Sequence, residues 1–403
     1  MGKTEKRSRR DFLVETGQTL AGLTIGSSLA GLGSRAADAQ EVMVKEAARP
    51  AATPLARYDF DASWPTAPEG TIWAGNPAVM VDARNQVWVS NRAFPAMMIF
   101  DTTGKFIRAW DSDKLFSDKG PALFLNKEKG PYNLHFFRLD GNNVWIANTN
   151  RNIIQKCDLD GNVLLTLGTP DIAGTDDTHF SRPTDMTINK AGVFVSDGYG
   201  NRRVVHYSAE GKYIKTWGQQ GTGPEDFIDP HAICTVGEHL YVVDRGNMRI
   251  KVYDFNGKLL DIWRDLILPW PLIPTANNEI WTCGCAPVRT EDYSSTVGGR
   301  GVQTQLVMKF DANGKVLQVW GFPVSERTQN VHVPGKLNMM HGMAVDAQGN
   351  LYLGEAFNPG PPQKWARSTE LKVQAQGEFP ATGGAAPAGG ARQGGTAPQG
   401  GAR

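Results

Sequence analysis

Asp229-Pro230-His231, then Leu240-Tyr241-Val242-Val243-Asp244-Arg245, then Phe255-Asn256-Gly257 and finally Trp263 mark out one copy of a pattern that recurs along the chain. Tyr241 lies in a run of β-branched and aliphatic residues, the signature of a strand buried on both faces. Equivalent runs are Val87-Trp88-Val89, Val144-Trp145-Ile146, Val193-Phe194-Val195, Ile280-Trp281-Thr282 and Leu351-Tyr352-Leu353. After the aromatic comes a turn closed by glycine, and six residues beyond that glycine a large apolar residue. The pairs are Gly104 with Trp110, Gly161 with Leu167, Gly211 with Trp217, Gly257 with Trp263 and Gly314 with Trp320. The turns read Asp-Thr-Thr-Gly, Leu-Asp-Gly, Ala-Glu-Gly, Phe-Asn-Gly and Ala-Asn-Gly, hairpin chemistry in which glycine supplies a positive φ. Repeats of roughly 40 residues with four short strands each predict an all-β, six-bladed β-propeller. The sixth copy lacks its last strand. Arg57-Tyr58-Asp59-Phe60-Asp61-Ala62-Ser63-Trp64 has the missing spacing and is expected to close the ring by pairing with the last blade.

Around this array the chain divides into residues 1–39, 40–373 and 374–403. Ser8-Arg9-Arg10-Asp11-Phe12-Leu13-Val14 reads as a twin-arginine export motif, followed by an apolar run from Leu20 to Leu32 and an Ala37-Asp38-Ala39 cleavage box. The apolar run is too short and too glycine-rich to span a membrane, so no stable membrane insertion is expected. The motif places the mature protein in a periplasm or outside the cell. From about Gln374 the chain turns to Gly, Ala, Pro, Gln and Arg, a composition that cannot bury enough surface to order itself.

With 42 basic and 41 acidic side chains the formal net charge is +1, and loss of residues 1–39 takes it to −1. No basic field is left for nucleic acid or anionic lipid. The four cysteines, Cys157, Cys234, Cys283 and Cys285, are expected to be free thiols or paired outside the strained Cys283-Gly284-Cys285 link, and they suggest no metal site. Insertions at Lys114 to Lys129, Glu291 to Val302 and Ser325 to Lys336 are expected to shape a rim over the propeller mouth and to select substrate.

Counting ten residues back from each strand aromatic gives Ala78, His135, Thr184, His231 and Pro271; in the sixth copy, with one extra turn residue, the position is His341. Histidine thus occupies one repeat position in blades two, four and six. The innermost strands of a propeller line its central channel, so these side chains are expected about 120° apart around the axis. Three converging imidazoles with an open fourth position form the ligand set of a catalytic zinc. Iron(II) or cobalt(II) suits the same ligands. The remaining histidines, His179, His206, His239 and His332, show no such phase.

Further polar groups point the same way. Four residues after the strand aromatic, where the chain leaves the inner strand, stand Arg92 and Arg245; five after it, in blade three, stands Tyr199. Taken singly, each reads equally well as an inter-blade ion-pair residue or a packed aromatic. Beside a metal, two guanidinium groups hold a carboxylate by bidentate bonds, and a phenol next to both metal and arginine can serve as a base.

At these residues the chain resembles peptidyl-α-hydroxyglycine α-amidating lyase, the propeller half of the peptide-amidating enzymes, within the NHL-repeat β-propellers. The resemblance covers residues 56–368 and is most specific in Arg182-Pro183-Thr184-Asp185, Phe194-Val195-Ser196-Asp197-Gly198-Tyr199, Asp229-Pro230-His231 and Val243-Asp244-Arg245. It implies that His135, His231 and His341 bind catalytic zinc, that Tyr199 is the base, and that Arg92 and Arg245 hold the substrate carboxylate. The implied substrate is a small molecule or peptide ending in α-hydroxyglycine, cleaved at its N–C bond to an amide and glyoxylate. The family's structural calcium uses an aspartate directly after the third histidine; Gly342 stands there, which leaves calcium doubtful. Gly200 replaces the cysteine that follows the family's tyrosine, and Leu134 and Met340 replace the proline before two of the histidines. No copper monooxygenase domain is read in this sequence, so a separate hydroxylating monooxygenase is the expected supplier of substrate. Two other readings fit parts of the pattern: a non-catalytic NHL scaffold with structural histidines, and a propeller hydrolase of the gluconolactonase type. The second calls for a ring of carboxylate and asparagine ligands that the phased position lacks.

Overall fold

Alternation of buried and turn-forming segments builds six antiparallel sheets in the computed structural model, which describes residues 56–110, 134–264, 266–285, 304–325 and 331–368. Blade one comprises Val79–Val81, Val87–Ser90, Met97–Phe100 and Phe106–Ala109; blade two Leu134–Asp140, Asn143–Asn148, Ile153–Asp158 and Val163–Leu167. Asp185–Asn189, Gly192–Asp197, Arg203–Tyr207 and Tyr213–Trp217 form blade three, and Pro230–Val236, His239–Asp244, Arg249–Asp254 and Leu259–Trp263 blade four. In blade five the first strand is split into Leu268–Pro269 and Ile273–Pro274, both paired with Glu279–Cys285, followed by Gln305–Asp311 and Val316–Phe322. Pro269, Pro271 and Pro274 cannot donate to a ladder, which accounts for the break. Blade six consists of Met340–Val345, Leu351–Glu355 and Gln363–Ser368, completed by Arg57–Asp61 with Arg57 opposite Ser368 and Asp61 opposite Lys364. The first strands of the blades touch one another in cyclic order, which closes the six-bladed ring.

The second strands carry the core. Val87, Val144, Val193, Tyr241, Ile280 and Leu351 are buried, and the apolar clusters run between adjacent blades. The landmark glycines Gly104, Gly161, Gly211, Gly257 and Gly314 all have positive φ, between 72° and 98°. Those turns join third strands to fourth strands. Contrary to what their spacing suggests, Arg92 and Arg245 do not leave the inner strand. The aromatic runs are second strands, so Arg92 and Arg245 follow a second strand, while the histidines stand on the first strand, which is the innermost. All four cysteines are buried, and Cys157, Cys234 and Cys283 are free thiols. The twin-arginine motif, the tail from Gln374, the insertions Lys114 to Lys129 and Glu291 to Val302, and residues 326–330 of the third insertion lie outside the described residues. Among the described residues no helix is long and apolar enough to cross a membrane.

Candidate metal centre

In blades two, four and six the register between first and second strands slips by one residue at the histidine. Leu134 and Phe137 pair with Asn148 and Ile146, Pro230 and Ile233 with Asp244 and Val242, and Met340 and Gly342 with Glu355 and Gly354. These are β-bulges, each re-aiming one side chain, here His135, His231 or His341. Blades one and three pair without such a slip. The three imidazoles form a nearly equilateral triangle, with ring centroids 4.8 Å apart for His135 and His231, 4.8 Å for His135 and His341, and 4.9 Å for His231 and His341. Their ligand nitrogens all lie within 4.8 Å of one another.

The blades between them fix the tautomer. His135 Nδ1 is 2.7 Å from the Thr184 carbonyl of blade three, His231 Nδ1 is 2.8 Å from the Trp270 carbonyl of blade five, and His341 Nδ1 is 2.6 Å from the Pro77 carbonyl ahead of blade one. A carbonyl oxygen only accepts, so each Nδ1 carries the proton and each Nε2 presents a lone pair. Burial holds all three rings neutral: it pushes His135 and His231 well below the ordinary imidazole range and His341 to about 3. For His231 the Arg245 guanidinium is the next largest cause. Three neutral imidazoles with converging Nε2 atoms can hold a metal ion, and the donor set suits zinc.

Phe136 closes one side of the triangle. Its ring is 4.8, 5.5 and 4.9 Å from those of His135, His231 and His341, close to equidistant. Beyond it Arg138 is ion-paired with buried Asp185 and donates to the Leu272 carbonyl at 3.1 Å. Arg138, with Thr187, Thr235 and Val345, also lines a cavity of about 260 Å³ that none of the three histidines lines.

Tyr199 is brought into the centre. Its hydroxyl is 2.9 Å from His135 Nε2 and 3.0 Å from His231 Nε2. Both predicted arginines flank the same space and lower the histidines' affinity for protons. Arg245 is buried and its Nη2 reaches Asp229 at 3.4 Å, while Nη1 has no partner among the described residues. Two aromatic rings hold it instead, Trp270 at 4.6 Å and Tyr199 at 5.3 Å. Arg92 donates to the Ala356 carbonyl at 2.9 Å, lies 5.1 Å from the Phe357 ring and leaves Nε without a partner among the described residues. Spare donors on two desolvated guanidiniums are what a carboxylate ligand requires. Asp229 belongs to the Asp229-Pro230-His231 motif, whereas the sequence assigns no role to Trp270 or Phe136. Phe136 follows a phased histidine, and Trp270 precedes Pro271, the blade-five member of the phased set, so adjacency to that position was the available signal. No acid follows His341; a β-carbon on Gly342 would lie 3.0 Å from Ala78 Cα.

Residues 169–275 match the TolB-like 6-blade propeller-like family. The chain is similar to amidating lyases and to NHL repeat proteins. It is 29% identical over 195 residues to peptidylglycine alpha-amidating monooxygenase of Rattus norvegicus, covering 45% of this chain and 20% of that protein. With NHL repeat-containing protein 3 of Homo sapiens it shares 28% identity over 225 residues, 52% of this chain and 60% of the relative. Peptidyl-alpha-hydroxyglycine alpha-amidating lyase 2 of Drosophila melanogaster is 30% identical over 204 residues, 48% of this chain and 44% of the relative. The chain thus spans between a fifth and three fifths of these relatives' lengths.

Proposed function

We propose that the protein is an exported, zinc-dependent lyase that cleaves the N–C bond of an N-acyl or peptidyl α-hydroxyglycine, giving an amide and glyoxylate. The observation that carries this reading is the triangle of neutral imidazoles with the Tyr199 hydroxyl touching two of them, set between two arginines with spare donors. The named lyases among its relatives support the reaction class, and the Ser8 to Val14 motif supports export to a periplasm or the exterior.

His135, His231 and His341 would hold the ion through Nε2. When bound, the ion supplies a Lewis acid that makes the substrate hydroxyl a better proton donor. Arg92 and Arg245 hold the carboxylate and fix the α-carbon. Tyr199 takes the hydroxyl proton and returns it to the departing amide nitrogen, so the C–N bond breaks as the carbonyl of glyoxylate forms and no proton is left over. Phe136 and the Arg138–Asp185 pair keep solvent from reaching the centre along the axis.

The test is metal content together with glyoxylate release from N-benzoyl-α-hydroxyglycine, for wild type, His231→Ala and Tyr199→Phe. One zinc per chain and release by wild type are expected. Tyr199→Phe should keep the metal and lose about 10²- to 10⁴-fold in kcat. Wild type that binds zinc yet releases no glyoxylate sinks the substrate class. A chain that purifies without stoichiometric metal and is as stable in chelator as without it is the NHL scaffold, a reading favoured by its similarity to NHL repeat-containing protein 3.

A further inference from the structure

Blades three, four and six share a conformational device where the chain enters the first strand. Two positions before Thr184, His231 and His341 stand Arg182, Asp229 and Met339, all left-handed with φ of 58°, 56° and 57°. Each carbonyl accepts an N–H from the segment leaving the second strand: Tyr199 N donates to Arg182 at 3.3 Å, Arg245 N to Asp229 at 3.2 Å, and Ala356 N to Met339 at 3.2 Å. In blade four this geometry delivers the Asp229 carboxylate to Arg245. In blade three it delivers a guanidinium, with Arg182 Cζ 5.0 Å from the centre of the Tyr199 ring. The Arg182 backbone is pinned on its other side by Asn152 Oδ1, 2.9 Å from its nitrogen.

Arg182 differs from its neighbours in what it is left to do. Arg151 pairs with Asp171 at 3.1 Å, Arg203 with Asp197 at 2.9 Å, and Arg138 with Asp185. Arg202 donates to the Gly200 carbonyl at 2.7 Å. Arg182 is exposed, and its side chain has no hydrogen bond or ion pair with any described residue. Contact with an aromatic face leaves the in-plane N–H fork free for an anion. Among the described residues, three guanidiniums at this mouth, Arg92, Arg182 and Arg245, meet one carboxylate, Asp229. Among the described residues, a single α-hydroxyglycine carboxylate leaves a guanidinium over.

We propose that Arg182 is a specificity-determining residue that binds a second anionic group, so the favoured substrates are α-hydroxyglycines whose acyl portion carries its own carboxylate. The inference rests on the lyase reading above. Its test compares kcat/KM for N-succinyl-α-hydroxyglycine and N-benzoyl-α-hydroxyglycine in metal-loaded wild type, Arg182→Gln and Arg182→Lys. Wild type should favour the succinyl compound. Arg182→Gln should lower the succinyl-to-benzoyl ratio about tenfold, mostly through KM for the succinyl compound, and Arg182→Lys should restore part of it. A ratio that does not move, with kcat falling for both compounds, means that Arg182 only braces Tyr199 and overturns the proposal. So does a wild type without preference. If neither compound is cleaved, the lyase reading is what has failed, and the subsite is read from succinate binding by calorimetry. Weaker binding to Arg182→Gln than to wild type supports the subsite; equal binding overturns it.

Discussion

Blades two, four and six do one job and blades one, three and five another. The even blades each admit an extra residue at the start of the inner strand and swing an imidazole into the channel. The odd blades keep their register, or in blade five break the strand, and offer carbonyls at Pro77, Thr184 and Trp270 that turn the imidazoles. A sixfold scaffold thereby acquires a threefold interior. The difference is one residue per alternate repeat, which is enough to convert a packed position into a donor with a defined tautomer.

The comparison breaks most completely at an even blade. His231→Ala should abolish stoichiometric metal while the fold persists, as seen by metal analysis beside circular dichroism. Protons are the next largest influence. The folded centre binds them more weakly than the unfolded chain does, since burial holds His341 at about 3 against an ordinary 6.5. Stability of the metal-free protein should therefore be complete above about pH 6.5 and decline as pH falls from there towards about 3. Replacing both His135 and His341 by Gln should flatten that decline in denaturant titrations; an unchanged slope would place the acid sensitivity elsewhere.

Changes in odd blades should act at one remove. A β-carbon on Gly198 of blade three would stand 1.9 Å from the Pro230 carbonyl beside His231. Gly198→Ala should cost about 1–3 kcal/mol of stability and weaken metal affinity, although residue 198 touches no ligand ring. Unaltered affinity would show that blade three does not position blade four. Trp270→Leu should have the smallest effect. The hydrogen bond from His231 Nδ1 goes to the backbone and stays, so metal content should hold although the ring contacts to His231 and His341 are lost. Loss of the aromatic face under Arg245 should raise KM for a carboxylate substrate by about tenfold. A fall in kcat at unchanged KM would argue against that bracing.

The periodic features were legible in the sequence because they repeat. Turn glycines, buried aromatic runs and phased histidines recur at fixed spacing, and the closing role of Arg57 to Asp61 follows from the strand the last repeat lacks. Tyr199, Arg92 and Arg245 were legible as groups that leave their strands at matching points. The bulges were not, because a register slip depends on the partner strand rather than on local text. Trp270 and Phe136 were hidden by contacts that run across blades, between residues far apart in the chain. Arg182 reads in sequence as one letter of a motif; only its left-handed backbone sends its side chain towards Tyr199.

The sheet that carries His341 joins residues 57–61 to residues 340–368. A ribosome therefore delivers two of the three imidazoles well before the last, and the third is seated only when segments some three hundred positions apart find each other. Such distant pairing is slow to form. Capture of the ion should accordingly be a late event in maturation, and the same union that seals the torus would make its centre competent.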